Sequence, residues 1–147
     1  TFIPTLNGWL YLVAILDWYA RYVVAWKVSR TLDTAFCTDT LQQALTTARP
    51  DIHNSDQGCQ FTSDDYVGIL LGYPDIQISM DHRGRYFDNI FTERLWRTVK
   101  YEEVYLKEYT SFADAEQSLR AYFHTYNHDR LHSSLNYKTP AEVYFAD

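Results

Sequence analysis

Apolar and polar positions change period several times along the 147-residue chain, and each change marks an element. Thr1–Leu6 and Trp9–Leu16 flank Asn7-Gly8, which predicts a hairpin with those two residues at the turn, because a type I′ turn needs positive φ at both central positions. Trp9–Leu16 is almost continuously apolar, the pattern of a strand covered on both faces. Asp17–Arg21 interrupts the run, and Tyr22–Val28, rich in β-branched and aromatic residues, predicts a third antiparallel strand.

From Thr31 the period becomes helical. Phe36, Cys37, Leu41, Ala44, Leu45 and Ala48 mark one face, and Pro50 ends it. Asp51–Asp56 predicts a short strand. Thr62 and Asp65 have the spacing of a capping box for a helix through Val67, Leu70 and Leu71 that stops before Pro74. Ile76, Ile78 and Met80 alternate as a last strand, followed by a loop over Asp81–Phe87. Asp88 or Asn89 can cap a helix carrying Glu93. Ser111 and Asp114 suggest a second capping box, ahead of a stripe of Phe112, Ala115, Leu119, Tyr122, Phe123 and Tyr126. The tail reads as loop until Thr139-Pro140 opens a short helix at Ala141. No repeat or linker divides the chain, so residues 1–147 form one α/β domain with a mixed sheet.

Composition sharpens this picture. Apolar residues make up 46%, with thirteen Tyr, eight Phe and four Trp, which excludes a disordered chain. The formal charge of −6 argues against a protein that coats nucleic acid over its whole surface. Residues 81–100, however, hold five Lys/Arg against three Asp/Glu, a local +2. Any contact with phosphates is therefore expected on that face. Cys37 and Cys59 are too few for a disulfide scaffold and form no CxxC pair, so they read as reduced thiols of a cytoplasmic protein. The longest apolar run is far short of a membrane span, and no signal peptide is visible. The chain begins at Thr1 in what reads as mid-strand, as a fragment would.

The candidate chemistry lies between His53 and Lys100. Asp56 follows an apolar entry and precedes Gly58, where a strand would end; Glu93 sits near the start of a helix that also carries Arg94, Arg97 and Lys100. One carboxylate at a strand end and one on a helix suit a divalent cation, because hard cations take oxygen ligands. Arg97 and Lys100, four and seven residues beyond Glu93, fall on its side of the helix, where they can meet a phosphate backbone or simply face solvent. Arg83 and Arg85, around Gly84, stand in the preceding loop. Asn89 can orient Glu93 or only cap the helix. His124, His128 and His132 recur every four residues, but the helix is expected to end between them, which argues against zinc.

Four segments in order resemble the integrase-type DDE transposases. Leu16-Asp17-Trp18-Tyr19-Ala20-Arg21, His53-Asn54-Ser55-Asp56-Gln57-Gly58, Asp88-Asn89 with Glu93, and Tyr126-Asn127 with Arg130, His132, Leu135, Tyr137 and Thr139-Pro140 are similar to motifs of bacterial insertion-sequence transposases that share the retroviral-integrase core. The likeness spans essentially the whole chain. It implies an RNase H-like fold, a mixed five-stranded sheet flanked by helices. It also implies DNA cleavage and strand transfer with Mg2+ or Mn2+, action on transposon ends and target DNA, homo-oligomerisation, and no small-molecule cofactor. Asp56 and Glu93 are implied as catalytic metal ligands, and Arg83, Arg85, Asn89, Arg94, Arg97 and Lys100 as DNA contacts. The 36 residues between Asp56 and Glu93 are one more than is typical, fitting an extra residue near Gly72–Asp75. The family's first Asp would stand two positions before Thr1; Asp17 matches a different motif and is expected to serve the turn. A non-catalytic DNA-binding or dimerisation remnant, and an RNase H-like nuclease, are the alternatives.

Overall fold

A computed structural model describes residues 1–55, 59–80 and 90–146. Its strands are β1 (Phe2–Thr5), β2 (Gly8–Leu16), β3 (Val23–Ser29), β4 (Ile52–Ser55) and β5 (Gln77–Met80). The helices are α1 (Thr34–Thr47), α2 (Cys59–Thr62), α3 (Asp64–Leu71), α4 (Ile90–Glu102), α5 (Phe112–His128) and α6 (Pro140–Tyr144). The five expected strands are present. Among the described residues they pair as two sheets, an antiparallel β1-β2-β3 and a parallel β4-β5.

β2 organises the interior. Leu10 and Leu12 face a core built with Leu95 and Val99 of α4 and Ala115, Leu119 and Phe123 of α5. Val13, with Tyr11 and Ile15 beside it, faces a second core of Phe36, Leu41 and Leu45 of α1 and Tyr66 and Leu70 of α3. The continuous apolar run thus resolves into two alternating sets, each covered by its own helices.

Three local expectations are corrected. The hairpin pairs Thr5 with Gly8, so Leu6-Asn7 is the loop; Gly8, at φ 126, opens β2. Register, fixed by burying Ile3 and Leu10 together, outranks the local Asn-Gly preference. Thr62 belongs to α2, a short helix not anticipated, and the cap of α3 is Ser63, whose side chain accepts from the Tyr66 amide. Ser111 caps α5 as expected, but Asp114 reaches back one residue further, to the Thr110 amide at 2.9 Å. Thr139 and Glu142 do complete a reciprocal capping box on α6.

Two buried polar groups tie the α4–α5 layer. Glu103 is 4% exposed and accepts from the Tyr109 hydroxyl at 2.5 Å and the Ser118 hydroxyl at 2.7 Å. Asn127, at the end of α5, accepts from the Val23 amide at 2.9 Å and donates to the Val23 carbonyl at 3.0 Å. No helix among the described residues is long and apolar enough to cross a membrane.

Candidate active site

Side-chain hydrogen bonds tie β4 to α3 and to β5. His53 Nε2 lies 2.9 Å from the Tyr66 hydroxyl of α3, and burial pulls its pKa from 6.5 down to about 4, so the ring is neutral near pH 7. Asn54 Nδ2 donates to Ser79 Oγ of β5 at 3.2 Å. Asp56 itself, with Arg83, Arg85, Asp88 and Asn89, lies outside the described residues, as does the expected loop.

α4 presents three faces. Thr92 and Trp96 line a cleft of about 670 Å3 together with Asn54 and Ser55 at the end of β4, Thr1 before β1, and the end of β2. Glu93 is exposed in the first turn of α4, where the positive end of the helix dipole favours a carboxylate. Among the described residues it has no hydrogen-bond or ion-pair partner. Arg97 shares the Glu93 side of the helix, exposed, with its guanidinium 5.8 Å from the Tyr101 ring. Lys100 shares that side too, but its Nζ donates to the Phe2 carbonyl of β1, and burial lowers its pKa. Arg94 and Thr98 turn toward a different pocket, of about 280 Å3. The basic residues of this helix, treated together in the sequence, are therefore split three ways.

The turn between β2 and β3 props α4 in place. Asp17 Oδ2 accepts from the Ala20 amide at 2.7 Å and its own amide donates to the Tyr22 carbonyl at 2.8 Å, so Asp17 closes the turn. Arg21 follows with φ 60, and its guanidinium lies 4.1 Å from the centre of the Phe91 ring. Trp18 packs on the same ring at 5.5 Å between centroids.

The described groups lining the cleft carry hard oxygen donors, the Ser55 and Thr92 hydroxyls, the Asn54 amide and the Asp17 and Asp51 carboxylates, and Glu93 follows Thr92 on α4. The nearby imidazole of His53 is already engaged with Tyr66. That donor chemistry fits magnesium or manganese better than zinc. Among the described residues no three His, Cys, Asp or Glu side chains form a metal-ligating group. His124 and His128 stack at 4.7 Å on α5, while His132 has left the helix and meets Tyr126 edge-on at 5.3 Å, so the histidine stripe is not a ligand set.

A family model described as the integrase core domain matches residues 1–86, and a second of the same description matches residues 74–140. The chain belongs to the integrase core family. Within it, the sequence groups with insertion-sequence transposases. The transposase of element IS904 from Lactococcus lactis subsp. lactis (strain IL1403) is 34% identical over 146 residues, 97% of this chain and 57% of that protein. That of element IS629 from Shigella sonnei is 32% identical over 145 residues, 97% of this chain and 49% of that protein. The integrase core described here thus spans about half the length of these curated relatives. The HTLV-2 integrase catalytic core domain in complex with magnesium, in its trimeric form, matches with a TM-score of 0.74 at 15% identity, over 97% of this chain and 90% of that one. A chain of the simian T-cell lymphotropic virus intasome, solved with the PP2A regulatory subunit B56 gamma, matches with a TM-score of 0.80 at 17% identity, over 100% of this chain and 52% of that one. The fold is that of an RNase H-like integrase core.

Sequence reasoning missed the groups of the smaller pocket: Arg21, Arg130, His132 and Ser133. The first three stand in the quoted motifs, so the signal was present. Their convergence beside α4 was not, because it joins segments from opposite ends of the chain.

Proposed function

We propose that this chain is the catalytic core of a DNA transposase, using Asp56 and Glu93 as carboxylate ligands for Mg2+ or Mn2+ in cleavage and strand transfer. The observation that carries this reading is the convergence of Thr1, the end of β4 and the first turns of α4 on one cleft, in a chain of the integrase core family. When bound, the divalent ion would stabilise charge on the phosphodiester oxygens during in-line displacement. Glu93, exposed and without a partner among the described residues, is free to hold it. Arg97, on the same helix side, meets a neighbouring phosphate; Arg83, Arg85, Asn89 and Arg94 are further DNA contacts. Lys100 belongs to that set only if it leaves the Phe2 carbonyl. Water is the nucleophile for cleavage, and a DNA 3′-hydroxyl for transfer. The protein works on transposon ends and target DNA as a homo-oligomer in the cytoplasm.

The test is nicking of a transposon-end duplex by a chain extended upstream through an Asp two positions before Thr1 and through an end-recognising domain. Nicking that requires Mg2+ or Mn2+, and that D56N and E93Q each abolish, is expected. An extended chain that binds the duplex without nicking it leaves the non-catalytic, DNA-binding reading in its place.

A further inference from the structure

The smaller pocket beside α4 gathers three guanidiniums from three distant segments: Arg21 from the β2–β3 turn, Arg94 from α4 and Arg130 from beyond α5. Ser133 and Ser134 supply hydroxyls, and His132 an imidazole. The charges are not equally matched. Arg130 is bound by Glu102 through Nε at 2.9 Å and Nη2 at 2.7 Å. Arg21 feels Asp17, whereas Arg94 has no carboxylate within ion-pair distance among the described residues. Burial and then the charge of Arg94 lower the pKa of Arg21, and burial, Arg130 and Arg21 lower that of His132 to about 4. Like charges facing one concavity repel, and an anion placed between them would relieve that repulsion. Arg guanidiniums with hydroxyls around them match the oxygens of a phosphate group.

We propose that this pocket seats one backbone phosphate of a DNA strand, gripped by Arg21 and Arg94 with Arg130 and Ser133 at its wall. The proposal rests on the reading of the chain as a DNA-acting core. A strand, rather than a free anion, fits the location: Leu16 borders both this pocket and the catalytic cleft, and α4 forms a wall of each. A strand passing Glu93 has a second phosphate to place, and this is where it would go.

The experiment measures affinity for a duplex against salt concentration in EDTA, so that no cleavage enters the result. R94Q should lower the slope of log affinity against log salt by about 1, as loss of one phosphate contact does. R21Q should act in the same direction. R120Q, on the exposed side of α5, serves as the surface-charge control and should leave the slope near that of the parent chain. Thermal melting keeps the comparison to folded variants; Arg94 is exposed, so R94Q carries the test if R21Q unfolds. An R94Q slope equal to that of R120Q overturns the proposal even if metal-dependent nicking is intact. Perturbation of the Arg94 side-chain NMR signal by inorganic phosphate, with an unchanged duplex slope, would assign the pocket to a free anion and overturn the DNA assignment. A parent chain that binds no duplex at all removes the DNA reading and this one with it.

Discussion

Asn127 and Val23, 104 positions apart, exchange two hydrogen bonds through the Asn127 amide and both backbone groups of Val23. The pair is buried, and it fixes the first residue of β3 to the last turn of α5. An N127A chain would leave a buried N–H and a buried C=O unsatisfied, at about 1–3 kcal/mol each. We expect N127A to melt about 5–15 °C lower, measured by circular dichroism. An unchanged melting temperature would show that water replaces the amide at no cost.

Glu103 makes a second prediction. Its carboxylate, buried between α4 and α5, accepts from Tyr109 and Ser118, and Lys107 Nζ stands 3.4 Å from its other oxygen. Y109F removes a donor that no solvent can replace and should cost about 1.5–3 kcal/mol. S118A should cost less, because Ser118 is only partly buried. Urea melts of the two variants check the order, and S118A falling below Y109F would contradict it.

His53 gives the chain a pH dependence of known sign. Its folded pKa of about 4 lies below the ordinary 6.5, so the unfolded chain binds more protons between those values. Stability from this group is therefore full above pH 6.5 and is lost as pH falls toward 4, by on the order of 3 kcal/mol. H53Q should flatten that limb of the curve while weakening the contact to Tyr66. An H53Q profile parallel to the parent profile between pH 4 and 6.5 would rule His53 out as the cause.

Lys100 and Arg97 should separate in experiment although they share a helix side. Lys100 bonds the Phe2 carbonyl, tying α4 to β1, whereas Arg97 is exposed over Tyr101. We expect K100M to lower the melting temperature by a few degrees, from about 1 kcal/mol of lost hydrogen bonding. R97Q should leave melting unchanged and weaken duplex binding with a salt slope lower by about 1. The opposite pattern would return Lys100 to the DNA-facing set.

Strands and helices were legible where burial repeats with a clear period. The two-faced run of β2 and the stripe of α5 both announced themselves. Turn and cap positions were legible to within a residue: Leu6-Asn7 instead of Asn7-Gly8, Ser63 instead of Thr62. The hairpin slip has a clear cause, since local preference is weak beside the register that buries Ile3 against its partner strand. In the candidate site, the place of Glu93 near the start of a helix could be read from the sequence. The roles of Asn127, Arg130 and Lys100 could not, because their partners at Val23, Glu102 and Phe2 are set by tertiary packing. Motif spacing marks such residues without saying what they hold.

The placement of β2 between two cores has a consequence for how the molecule opens. Even-numbered side chains of β2 feed one core and odd-numbered ones the other, while among the described residues no backbone ladder joins β1 to β4. Among the described residues the two sheets meet through side chains, such as Val13 with Ile76 and Ile78, which separate more readily than a continuous ladder. Amide hydrogen exchange should divide accordingly: the central amides of β2 exchange only through global unfolding, and those of β4 and β5 through a smaller, cheaper opening. Strands β4 and β5 would then belong to the more labile cooperative unit, able to adjust while the β2 hairpin and α4 stay closed.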